Sequence, residues 1–172
     1  MSNLVALCHH RWSLPVLAEI ERTGGSRFAT LTAQLGVTGE SLRRTLAYLQ
    51  GEGLLERNPG YGHPLRPEYV LTPAGRRVAP GARQILEALV GREAVGLKKW
   101  SLPVLAALVE PRRFSELRAE LPVTPRGLTL ALKDLEGAGL VRRTVTDDRP
   151  PQTRYRAAPA ARGIVRAARR LG

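Results

Sequence analysis

Arg43 and Arg44 stand side by side in a stretch whose leucines, Leu42, Leu46 and Leu49, recur at helical spacing. Leucines so spaced form one apolar stripe and turn the remaining side chains outward. The outer face is then expected to carry Ser41, Arg43, Arg44, Thr45 and Tyr48. The chemistry of that set is hydrogen-bond donation, and a guanidinium is shaped to meet guanine O6 and N7 through two parallel bonds. A second stretch built on Leu128, Leu132 and Leu135 offers Arg126, Thr129 and Lys133, with an apolar Leu130 among them. For both sets the plain alternative is a solvated helix face.

Other reactive residue types point to no chemistry of their own. Cys8, His9 and His10 resemble a metal cluster, but adjacent helical residues point about 100° apart and do not easily share one ion. A structural or incidental role is expected for them, with no metal and no cofactor. No Gly-rich phosphate loop, no paired-His motif and no Gly-x-Ser-x-Gly turn occurs, so an enzyme is not expected.

The elements that position these residues occur twice. Arg11-Trp12-Ser13-Leu14-Pro15-Val16-Leu17-Ala18 returns as Lys99-Trp100-Ser101-Leu102-Pro103-Val104-Leu105-Ala106, 88 positions on. Phe28, Leu31, Leu35, Val37, Leu42, Leu46 and Leu49 are answered 86 positions on by Phe114, Leu117, Leu121, Val123, Leu128, Leu132 and Leu135. Tyr69 and Pro73 are answered by Tyr155 and Pro159. The expected organisation is two tandem domains, residues 1–90 and 91–172, each large enough for a modest core.

Within one copy, Ser13 reads as a helix cap, with Pro15 in the first turn where it costs little. A short helix from Phe28 to about Gln34 ends at Gly36, and Thr38 caps the third helix. In the second copy Thr124 caps, followed by Pro125. Each third helix leads into a short apolar segment, a polar Pro-rich loop of residues 58–67 or 144–153, and a second short strand at Tyr69 or Tyr155. Such a loop is too long for a tight turn and projects from the hairpin. Long helices are expected from Pro73 to about Val90 and from Pro159 onward. The fold class is therefore mainly α with small β-hairpin wings (α+β), as two tandem winged helix-turn-helix domains. The wings add His63, Arg66, Arg149 and Arg154 as candidate DNA contacts, although Asp147 and Asp148 would repel phosphate. Arg162, Arg166, Arg169 and Arg170 near one face of the last helix are either further phosphate contacts or a solvated end.

The formal charge of +12 over 172 residues points to a polyanionic partner. It is unevenly spread. Residues 1–90 hold ten arginines and seven acids, +3, while residues 91–172 hold seventeen lysines and arginines and eight acids, +9. One cysteine excludes an intrachain disulfide framework. No apolar run approaches a membrane span, and the N-terminus lacks a signal-peptide pattern, so a cytoplasmic, soluble protein is expected.

Together the motifs resemble the HxlR-type winged-helix regulators, a branch close to the MarR regulators. In the second copy these motifs are Lys99-Trp100-Ser101-Leu102, then Pro111-Arg112-Arg113-Phe114-Ser115-Glu116-Leu117. They continue with Leu132-Lys133-Asp134-Leu135-Glu136-Gly137-Ala138-Gly139-Leu140-Val141-Arg142-Arg143, and end in Pro150-Pro151 before Tyr155. The first copy has Arg11-Trp12-Ser13-Leu14 and ends in Tyr69-Val70-Leu71-Thr72-Pro73-Ala74-Gly75. The resemblance covers nearly the whole chain. It implies a DNA-binding transcriptional regulator, here a repressor, and a packing role for Trp12 and Trp100. Relatives pair one-domain chains into homodimers. Here the pairing is expected inside one chain, as a pseudo-dimer acting as a monomer on double-stranded DNA and reading two unlike half-sites. A small-molecule effector would have room between the repeats, though no residue pattern names it. Cys8 lies only four residues before Trp12, so the redox role of the family's upstream cysteine does not carry over. The rival readings are a winged-helix protein-interaction module, which the charge disfavours, and DNA binding without a defined site.

Overall fold

The computed structural model describes residues 2–58, 67–147 and 149–171, apart from the side chain of Ser2. The chain forms two compact units, residues 10–86 and residues 1–9 with 87–172. The repeat places the first nine residues in the first copy, but in space they group with the second. There a short helix α1, Ser2–Leu7, buries Leu4 and Leu7.

The first unit runs α2 (Ser13–Thr23), β1 (Ser26–Arg27), α3 (Phe28–Leu35), α4 (Gly39–Gly51), β2 (Leu55–Asn58), β3 (Glu68–Leu71) and α5 (Pro73–Ala88), whose last turn crosses into the second unit. Leu14, Val16, Leu17 and Ile20 of α2, Leu31 of α3, and Leu42, Leu46 and Leu49 of α4 are buried where these three helices meet. The second unit repeats the plan with α6 (Glu93–Gly96), α7 (Ser101–Ala107), β4 (Arg112–Arg113), α8 (Phe114–Glu120), α9 (Pro125–Gly137), β5 (Val141–Val145), β6 (Thr153–Ala157), a 3-10 turn (Pro159–Ala161) and α10 (Arg162–Leu171). Helix α10 packs along α7, and α1 packs on both.

The wings differ from a plain hairpin. Each sheet has three antiparallel strands, ordered β1-β3-β2 and β4-β6-β5. The added strand is two residues long in each case. Ser26 pairs with Tyr69 and Arg27 with Glu68; Arg112 pairs with Tyr155 and Arg113 with Arg154. Mostly helical, with two small three-stranded sheets, the chain holds two winged helix-turn-helix domains.

Local chemistry explains the boundaries. The Thr38 hydroxyl accepts from the Ser41 N–H at 3.4 Å, and the Thr124 hydroxyl from the Gly127 N–H at 3.1 Å, which starts α4 and α9. Gly53 and Gly139 follow these helices with φ of +68°, a left-handed turn that leads into β2 and β5. Ser13 and Ser101 are not caps, contrary to the sequence expectation. Trp12 and Trp100 hold the cap positions, and Ser101 Oγ instead donates to the Val95 carbonyl at 2.7 Å.

One difference between the copies follows from a hydroxyl. Thr72 Oγ1 donates to the Gly53 carbonyl at 2.6 Å and accepts from the Gly75 N–H at 3.0 Å, so α5 begins directly at Pro73. Its counterpart, Ala158, can do neither. A side chain at Gly75 would overlap the Leu54 carbonyl oxygen, and the counterpart position is Ala161. The second unit therefore enters its last helix through the 3-10 turn.

Candidate nucleic-acid interface

The candidate interface comprises the outer faces of α4 and α9, each helix pinned by its apolar stripe. On α4, Leu42, Leu46 and Leu49 are buried, and Arg43 and Arg44 project with about two-thirds of each side chain exposed. They are not idle. Arg44 Nε donates to Glu40 Oε1 at 2.8 Å, and Arg43 Nη1 lies 3.9 Å from Glu40 Oε2. Arg43 also lies over the Phe28 ring, 5.4 Å from its centroid. Glu40, which sequence spacing alone did not single out, thus bonds Arg44 and lies within ion-pair distance of Arg43. Glutamate in the first turn of a helix, three and four residues before two arginines, is the signal that could have revealed it.

Thr45 belongs to the inner side of the helix rather than the outer face where the sequence reading placed it. It is buried, and its hydroxyl donates to the Ser41 carbonyl at 2.9 Å. The twin position holds Ala131, also buried, and a small apolar residue there was the available clue. Ser41 is half-buried, and its Oγ accepts from the Thr38 hydroxyl at 3.0 Å, so it serves the cap. Tyr48 is half-buried at the side of the helix, its ring 5.0 Å from His10 and tilted by 60°. Burial first, then the Glu52 charge, raises the Tyr48 phenol above its ordinary value. The equivalent pair in the second unit is ionic: Lys98 Nζ meets Asp134 Oδ2 at 2.7 Å.

On α9, Arg126, Thr129, Leu130 and Lys133 are exposed at i, i+3, i+4 and i+7, which is one face. Thr129 donates to the Pro125 carbonyl at 2.9 Å. Arg126 and Lys133 have no ion-pair partner among the described residues. Leu130 is half-exposed, an apolar group at the centre of a cationic face. Position by position, Glu40, Arg43, Arg44 and Ala47 of the first unit answer to Arg126, Thr129, Leu130 and Lys133 of the second. The two faces share a backbone and almost no chemistry.

The first wing's candidates, His63 and Arg66, lie outside the described residues, as does Asp148. In the second wing the Thr146 N–H donates to the Gln152 carbonyl at 2.8 Å, and the Gln152 N–H to Thr146 Oγ1 at 3.1 Å. These bonds close the loop and leave Arg149 exposed near its tip. Arg154 sits at the base, in β6, rather than at the tip.

Trp12 and Trp100 are half-buried at the starts of α2 and α7, beneath Arg11 and Lys99 at 5.9 Å and 5.5 Å from the ring centroids. Burial pushes the Cys8 thiol up to about 12. Among the described residues no group of three or more His, Cys, Asp or Glu is placed to hold a metal ion, and no helix is long and apolar enough to cross a membrane.

Comparison with known proteins adds the following. The sequence profile described as "HxlR-like helix-turn-helix" matches residues 7–91 and again residues 95–171. An uncharacterized HTH-type transcriptional regulator of Methanothermobacter thermautotrophicus is 41% identical over 59 residues, which is 33% of this chain and 45% of that protein. The chain thus spans less than half the length of that relative. Among solved structures, the oxidized form of the redox regulator HypR is 28% identical with a TM-score of 0.45, covering 48% of this chain and 88% of its own. The reduced form of the transcriptional regulator YodB from B. subtilis is 23% identical with a TM-score of 0.35, covering 56% and 86%.

Proposed function

Because the chain belongs to the HxlR-like helix-turn-helix family, whose profile matches it twice over nearly its whole length, we propose that it is a sequence-specific regulator that reads two unlike half-sites on double-stranded DNA, one with each unit. The family is one of DNA-binding transcriptional regulators rather than enzymes. The observation that carries the reading is the contrast between the outer faces of α4 and α9. A homodimer presents one face twice and reads a palindrome. This chain presents Arg43 and Arg44 on one helix, and Arg126, Thr129, Leu130 and Lys133 on the other.

Phosphate contacts position such a protein and base edges supply the specificity. Arg43 or Arg44 reads guanine in the first half-site. In the second, Arg126 or Lys133 reads guanine and Leu130 packs on a thymine methyl, the apolar landmark of the major groove. The protein acts as one chain and represses by occupying its site. Selection from a random duplex library tests this. The expected product is a bipartite, non-palindromic site with a guanine in each half. A palindrome, or a pool with no enriched sequence, refutes the reading.

A further inference from the structure

The duplication supplies an internal control, because one fold occurs twice with different side chains. In each sheet one face carries the buried residues, Leu55 and Leu71 in the first and Val141 in the second. The opposite face shows where the two copies part. In the first unit it carries Arg27, Glu56, Glu68 and Val70 beside Asn58. Arg27 Nε lies 3.3 Å from Glu68 Oε1, so that face is close to charge-balanced. In the second unit the same four positions are Arg113, Arg142, Arg154 and Arg156.

The register makes the clustering acute. Arg142 is directly opposite Arg156, and Arg113 is directly opposite Arg154. Like charges at facing positions destabilise a sheet, and nothing in the fold requires them, since the first unit does without. Glu116 relieves only Arg113, accepting from its backbone N–H at 2.6 Å and from its side chain at 3.0 Å and 3.1 Å. Arg142, Arg154 and Arg156 have no ion-pair partner among the described residues. Arg154 Nε is moreover buried without any hydrogen-bond acceptor. A buried donor left unpaired is costly, which adds to the cost of crowding these arginines. The basic surface continues past Arg156 onto α10, where Arg162, Arg166 and Arg169 line an open cleft of about 630 Å³ beside Glu110.

We propose that this face of the second sheet is a phosphate-binding surface that holds the backbone of duplex DNA outside the groove read by α9, a contact the first unit does not make. It rests on the DNA-binding reading above. An extended polyanion suits it better than a compact one. Its cations are spread over an open sheet, with Arg154 and Arg156 about 7 Å apart along the strand. The surface carries no sequence information, so it strengthens binding to all duplexes alike.

The test uses the full chain and a random-sequence duplex, titrated from low to moderate salt. Arg142→Glu/Arg154→Glu installs the residues that the first unit carries in the same sheet, Glu56 and Glu68, so the fold accepts them. Arg77→Glu/Arg92→Glu makes the same change in charge elsewhere. Thermal melting checks that all variants are folded. The expected result is a salt dependence flatter by about 1.8 in log–log slope for the sheet variant, two phosphate contacts' worth, with affinity down on the order of tenfold and base preference unchanged. The control variant keeps the wild-type slope. The reciprocal change, Glu56→Arg/Glu68→Arg, steepens it. If sheet and control variants shift equally, or neither shifts, the proposal is overturned while the regulator reading stands. If the wild type binds duplexes without base preference and the sheet variant still weakens binding, the surface stands and sequence reading by α4 and α9 fails. A wild type that binds no duplex overturns both.

Discussion

Glu40 offers a way to separate the proposed role of Arg44 in reading DNA from its role in the helix. The two groups bond at 2.8 Å, yet both are about two-thirds exposed, so the pair contributes only about 0.3–0.5 kcal/mol to the free protein. Glu40→Gln removes that contribution and releases the guanidinium. If Arg44 must leave Glu40 to reach a base, binding then tightens, by about twofold for 0.5 kcal/mol. Arg44→Ala instead loses a base contact worth about 1–3 kcal/mol at one position of the selected site, roughly 5- to 150-fold. It costs the folded state no more than the same few tenths. Because Glu40 acts through the arginines, the double variant Glu40→Gln/Arg44→Ala should match Arg44→Ala to within about 0.5 kcal/mol. Fluorescence anisotropy on the selected duplex, and on duplexes changed one base pair at a time, measures all four corners of the cycle. Melting curves confirm folding. Two results would refute the reasoning: a large loss of affinity in Glu40→Gln, which would make the carboxylate itself a base contact, or unchanged specific binding in both Arg43→Ala and Arg44→Ala.

Three further outcomes are expected. Leu46→Ala, at a buried position between α2 and α4, should lower stability by roughly 2–5 kcal/mol and reduce DNA binding only in proportion to unfolding, as denaturant titration and anisotropy at matched folded fraction will show. Thr45→Val should leave base preference untouched, since the hydroxyl is spent on the Ser41 carbonyl; a change at any one base pair would return Thr45 to the interface. For Cys8, burial raises the folded thiol from 9.0 to about 12, so the unfolded chain loses its proton first as the solution turns alkaline. The associated stability is complete below pH 9 and is lost between pH 9 and 12, by ~4 kcal/mol at most. Urea titrations across that window should show a steeper alkaline fall for the wild type than for Cys8→Ala, and equal slopes would dismiss the burial argument.

What was legible in the sequence was what repeats locally. The leucine stripes, the caps Thr38 and Thr124, and the exposed Arg43, Arg44, Arg126 and Lys133 all follow from 3.6-residue spacing and side-chain oxygen placement. What escaped depends on distant parts of the chain. Strands β1 and β4 are two residues long and exist only because β3 and β6 lie beside them. Thr45 was misplaced because an apolar stripe of Leu42, Leu46 and Leu49 has room at its centre for one more inward residue, and threonine reads as polar until its hydroxyl is seen bonded back one turn. Ser13 and Ser101 look like caps from composition, but the chain enters each helix one residue earlier, at a tryptophan. Helix α1 carries no cap signal and is too short to stand alone. It forms against α7 and α10, more than ninety residues away.

That last packing gives the molecule an unusual order of completion. By chain connectivity the unit of residues 10–86 is an insert, and the other unit is closed by a segment made before the insert and a segment made after it. During synthesis Leu4 and Leu7 emerge before residues 10–86 but find the surface that buries them only when α7 and α10 appear. Closing so long a loop is slow, so the insert is expected to fold early and its host late. Cutting the chain between the two sequence repeats would therefore not yield two whole domains. The C-terminal fragment would lack the helix that packs on α7 and α10, and a bulky group inserted just before α1 would be felt in the unit whose sequence lies farthest from it.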